Sequence, residues 1–161
     1  MVIHAGKGSH VSAADVDDVG KFEVSGRADI FCKEEGAMKK EVITVSDTAQ
    51  LPFSPGIRAG DFIFVSGQVG YVDAGGREVK DIEAQTRLCL DNLKRVLAAA
   101  GASLDAVVKV TVFLRSEKDF SAMNKIYQGY FVEDKPARST VITGLALPSM
   151  LVEIECIAYA P

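Results

Sequence analysis

From residue 40 onward the apolar residues fall into two alternating periods. "EVITVS" alternates with period two and predicts a short strand, and "DFIFVSGQVGY" predicts a longer one built from aromatic and β-branched residues. Between them "LPFSPGIRAG" is punctuated by proline and glycine and predicts a loop. After a glycine turn, "VDAGGREV", the period changes. Over residues 81–100 Ile82, Cys89, Leu93, Val96, Leu97 and Ala100 recur on one helical face, with Asp81 placed to cap the start and Gly101 to end it.

"AVVKVTVFLRS" returns to period two. Val108, Val110, Val112 and Leu114 form one row, and Lys109, Thr111, Phe113 and Arg115 the other. Ser116 and Asp119 have capping-box spacing at the head of a second helix, whose Phe120, Met123, Tyr127, Tyr130 and Phe131 form a packing stripe. Strands over about 138–145 and 151–160 finish the chain. The order strand, strand, helix, strand, helix, strand, strand predicts an α+β fold, a mixed sheet with two helices on one face. Phe113 and Ile157 then lie on the face away from the helices. Such a face needs a cover, and self-association is the simplest one.

Composition narrows the chemistry. The chain has 161 residues, 48% of them hydrophobic, which suits one ordinary domain. No apolar run approaches a membrane span and no signal pattern opens the chain. Cys32, Cys89 and Cys156 are widely spaced and odd in number, which fits reduced thiols in a cytoplasm. The net charge is −4. Most of the acidic excess lies in residues 1–37, and the remainder is near neutral, with no footprint for nucleic acid. Both histidines, His4 and His10, also lie in that segment. From residue 38 onward, His-based dyads and His-ligated zinc sites are therefore excluded.

Residues 1–37 show no sustained period and are expected to be an N-terminal leader or extension outside a 38–161 domain. One origin is a start codon placed upstream of Met38, since "KEEGAM" can be encoded with a ribosome-binding sequence just before that methionine. The rival expectation is a true extension in which "KFEVSGRADIFC" adds an edge strand.

Two features stand out near the C-terminus. Arg138 stands at the mouth of an apolar strand, and Glu153 and Glu155 sit in period-two register in the last one. Read alone, Arg138 is either a strand-end surface cation or an anion clamp, and Glu155 is a partner for a basic side chain.

"FIFVSGQV", "DIEAQTRLCLDNLKRVLAAAGASLDAVVKVTVFL", "DFSAMNKIY", "PARST" and "LVEIECIA" together resemble, in order, the signature segments of the RidA/YjgF family of reactive imine and enamine deaminases. The resemblance runs from about Met38 to the end. It implies a chorismate-mutase-like fold, a homotrimer with clefts between subunits, and no cofactor or metal. It also implies hydrolysis of 2-imino or 2-enamino acids, such as the 2-aminoacrylate/2-iminopropanoate pair, to a 2-keto acid and ammonia. Glu153 then matches the glutamate that positions or activates water, and Ser66 a serine that hydrogen-bonds or relays a proton. Arg138 matches the arginine that holds the substrate carboxylate, and Asn124 an asparagine near the site. Thr140 stands where archetypal members carry a cysteine that acts mainly through its backbone carbonyl. Phe53, in "LPFSPG", replaces a tyrosine, so the aromatic wall is kept and one donor is lost. Two other readings stay open: a non-enzymatic trimer that binds small carboxylates, and the RNA-cleaving translation inhibitor of the family's older label.

Overall fold

The computed structural model describes residues 40–46 and 51–161. The expectations for residues 1–37 lie outside this range. Six strands form one sheet: β1 (Lys40–Ile43), β2 (Gly56–Ala59), β3 (Phe62–Val69), β4 (Val107–Leu114), β5 (Ala137–Ile142) and β6 (Val152–Tyr159). Two helices, α1 (Ile82–Ala99) and α2 (Phe120–Tyr127), follow β3 and β4 respectively. The α+β class and the single mixed sheet agree with the pattern of the sequence.

The strand order is β1-β2-β3-β6-β4-β5, and every pairing is antiparallel except β4–β5. The last strand of the chain is thus threaded into the middle of the sheet. β6 alternates cleanly, with Val152, Ile154, Cys156 and Ala158 buried against the helix layer and Glu153, Glu155, Ile157 and Tyr159 on the other face. α1 packs Leu90, Leu93 and Leu97 into the core with no exposed surface. Truncating any one of them to alanine would cost about 2–5 kcal/mol. The Asp81 carboxylate accepts from the Ala84 N–H and caps α1. Gly101, with φ +73°, takes the left-handed position after the helix that other residues avoid.

Four local expectations are corrected. β2 lies inside the stretch expected to be loop. Its four residues carry one β-branched side chain, and their strand state comes from pairing on both edges with β1 and β3. Val108 is 46% exposed instead of sharing the buried row, because a bulge between Val107 and Lys109 shifts the phase of β4. The Ser116 hydroxyl caps a 3-10 turn, Glu117–Asp119, by accepting from the Lys118 N–H, and Asp119 makes no side-chain cap on α2. Phe120, at the start of α2, is exposed, while Met123, Tyr127 and Phe131 are buried as expected.

The face away from the helices carries Phe62 and Phe64 from β3 beside Tyr159 and Ile157 from β6. Both phenylalanines and Tyr159 are more than 40% exposed, and the rings of Phe62 and Tyr159 lie 5.3 Å apart.

Candidate functional site

The carboxylate end of the site begins at a bulge. Pairing between β3 and β6 shifts register between Val65 and Gln68, which leaves Ser66 and Gly67 unmatched. The Ser66 hydroxyl donates to the Ser54 carbonyl at 2.7 Å, and its N–H donates to the Pro55 carbonyl at 3.0 Å. The bulge therefore holds the 51–55 loop, and Phe53 with it. The Ser66 proton is committed, and its oxygen keeps lone pairs to accept from a ligand.

Glu153, on β6, pairs with Val69 of β3 and lays its side chain over Gly67. Neither of its carboxylate oxygens has a hydrogen-bond or ion-pair partner among the described residues. Burial, and then the neighbouring charge of Glu155, raise its pKa above the ordinary carboxylate value. Glu155 sits opposite Thr111 and, among the described residues, forms no ion pair, contrary to its expected structural role. Phe53, half exposed, lines a cavity of about 230 Å³ with Leu51, Gly67, Gln68, Asn92, Arg95 and Val96, a lining that includes neither Ser66 nor Glu153.

Arg138 lies elsewhere. β5 runs parallel to β4 with Arg138 opposite Val110 and Thr140 opposite Val112, so both belong to the helix-facing row. The Arg138 guanidinium lies over the Tyr127 ring of α2, 4.5 Å from its centroid. Arg138 and Tyr127 line a second cavity, about 350 Å³, with Asn124, Gln128, Lys135 and Pro136. Two cations and two amides border it, and no carboxylate does. Burial pushes the Tyr127 phenol up to about 12, with Arg138 pulling weakly the other way. The Thr140 hydroxyl is buried without a hydrogen-bond partner among the described residues. Among the described residues no group of three or more His, Cys, Asp or Glu is placed to hold a metal ion.

The six candidate residues thus form two groups. Ser66 and Glu153 meet at the bulge, with Phe53 tied to it through the 51–55 loop, and Arg138 lies with Asn124, with Thr140 beside Arg138 on β5. The two groups do not meet in one chain. Arg138 is level with Cys156 two strands away, and Glu153 lies three residues further along β6. Strand spacing and rise put their α-carbons about 14 Å apart, with side chains on opposite faces. A three-carbon acid cannot touch both.

Sequence reasoning passed over Gln85. It is fully buried in α1, donates to the Val79 and Ser149 carbonyls at 2.6 and 2.8 Å, and accepts from the Leu151 N–H at 2.9 Å. It fixes the entry to β6 and so the start of the strand that presents Glu153. A lone polar residue on the helix gave no sign of this, because its partners are backbone groups far away in sequence.

The family model described as Endoribonuclease L-PSP matches residues 44–160. A RutC family protein of Pyrococcus horikoshii is 44% identical over 124 residues, covering 76% of this chain and 98% of that protein. The chloroplastic Reactive Intermediate Deaminase A of Arabidopsis thaliana is 35% identical over 154 residues, covering 92% of this chain and 82% of that one. The crystal structure of E. coli TdcF with bound serine shares the fold with a TM-score of 0.69 and 32% identity, over 75% of this chain and 99% of that one. No helix among the described residues is long and apolar enough to cross a membrane.

Proposed function

The chain belongs to the Endoribonuclease L-PSP family, the RidA/YjgF family, and from that membership we propose that it hydrolyses small reactive 2-imino acids to 2-keto acids and ammonia. The observation that carries this reading is the pair of groups uncommitted among the described residues: a carboxylate with raised proton affinity at Glu153, and a guanidinium at Arg138 with no acid paired to it. The deaminase name of the Arabidopsis relative and the serine bound to TdcF, a small carboxylated amine, support the same chemistry.

The opposite-face placement of the two groups calls for a neighbouring copy, and in the homotrimer that the family resemblance implies the Arg138 end of one subunit meets the Glu153 end of the next. The exposed Phe62, Phe64 and Tyr159 face supplies apolar surface for that contact. Arg138 holds the substrate carboxylate through its in-plane N–H fork, which a lysine cannot reproduce. Asn124 and the backbone at Thr140 complete the cradle, and Phe53 walls the substrate.

The imine carbon is already electrophilic, and the imine reacts as its N-protonated form. Glu153 accepts a proton from a water as its oxygen forms the C–O bond. The carbinolamine so formed is protonated on nitrogen by the same carboxyl. The C–N bond then breaks as the restored Glu153 carboxylate takes the carbinolamine hydroxyl proton, C=O forms and ammonia leaves. For 2-iminopropanoate and one water the products are pyruvate and ammonia, with no redox change.

The test generates 2-aminoacrylate in situ with a pyridoxal-phosphate-dependent dehydratase and follows pyruvate release. The protein should accelerate release, while Arg138→Lys and Glu153→Gln should lose most of the effect and stay folded. No acceleration by folded wild-type protein overturns the reading. Sedimentation should give a trimeric mass at micromolar concentration, and a monomer would remove the shared site.

A further inference from the structure

We propose that Tyr127 is a positioning residue that aims the Arg138 guanidinium at the substrate carboxylate; this rests on the clamp reading of Arg138. The ring is 7% exposed and packs on Phe131, with centroids 4.8 Å apart, so it is fixed before any ligand arrives. Arg138 lies over its face at 4.5 Å, and that face is the only partner Arg138 has among the described residues.

A guanidinium uses two different surfaces. Its flat face interacts with a ring, and its edge carries the N–H donors that grip a carboxylate in plane. Stacking on Tyr127 occupies the face and leaves the edge free, so the two contacts do not compete. It also restricts a long side chain that would otherwise lose rotamer freedom when the substrate binds.

The phenol oxygen takes no part in this contact. It is buried with no hydrogen-bond partner among the described residues. The ring, and not the hydroxyl, is therefore the functional part, and phenylalanine should replace tyrosine.

The experiment has two arms. The first records the NMR resonances of the Arg138 side chain. Ring current from Tyr127 should shift them upfield in wild type and in Tyr127→Phe, and they should return to ordinary positions in Tyr127→Leu. The second measures pyruvate binding by calorimetry. Tyr127→Leu should raise Kd about tenfold, the factor expected from a partly desolvated cation–π contact, whereas Tyr127→Phe should match wild type. Unshifted Arg138 resonances in the wild type overturn the proposal. So does a folded Tyr127→Leu that binds pyruvate as wild type does, or a Tyr127→Phe as impaired as Tyr127→Leu. If the shift is present and no form binds pyruvate, the clamp reading fails and the stack is structural only.

Discussion

Glu153 occupies the space that a side chain on Gly67 would need: a β-carbon built there would stand 2.8 Å from the Glu153 carboxyl carbon and closer still to one of its oxygens. The glycine of "VSGQ" is thus the floor on which the proposed base rests, and the bulge in β3 exists where that floor is required.

Gly67→Ala follows directly. The group that must move is the end of a flexible side chain, so stability should change little. The carboxylate is displaced by about an ångström or more, and a misplacement of that size lowers turnover about 100-fold. Thermal melting and kcat for 2-iminopropanoate measured together check this. An alanine variant with full activity would show that the resting place of Glu153 is unimportant.

The raised proton affinity of Glu153 predicts the pH dependence. As a base Glu153 works ionised, so kcat/KM should fall with decreasing pH along a limb lying above 4.5, the ordinary carboxylate value. Burial is the larger cause and Glu155 the second, so Glu155→Gln should move the limb to lower pH without abolishing it. Stability has the opposite sign. The folded state holds the Glu153 proton more tightly than the unfolded one, so its contribution declines as pH rises from 4.5 through the folded value. Glu153→Gln should therefore melt higher than wild type at neutral pH while losing turnover. Rate profiles and melting curves across pH 4–8 test both signs.

Gln85→Ala removes three hydrogen bonds that join α1 to the segments before α1 and before β6. At about 1 kcal/mol each the loss is about 3 kcal/mol, a fall in Tm of roughly 10 °C for a domain of this size. Calorimetry gives the answer. A Tm within a degree or two of wild type would mean that water replaces the amide.

The main elements were legible because their periods are long and consistent. Eighteen residues of α1 and the alternation of β6 leave few alternatives, and pairing merely places them. β2 was not legible, since Gly56–Ala59 is a strand only through its neighbours on both sides. The phase slip at Val108 was hidden for the same reason: a bulge is a property of two strands, and one strand's pattern cannot show it. At the site, Arg138 and Glu153 stood out as charges among apolar residues. Tyr127 did not, because a buried tyrosine on a helix stripe reads as packing, and Gln85 did not, because a single amide carries no spacing.

Arg138 and Glu153 project from opposite faces of one sheet, and this has a genetic consequence. If each site draws its cation from one subunit and its carboxylate from the next, a chain lacking Arg138 and a chain lacking Glu153 are each inactive alone but carry complementary halves. Co-expressed, they should assemble mixed trimers in which some junctions pair an intact arginine with an intact glutamate. Two null alleles would then rescue one another, as defects confined within a single chain would not.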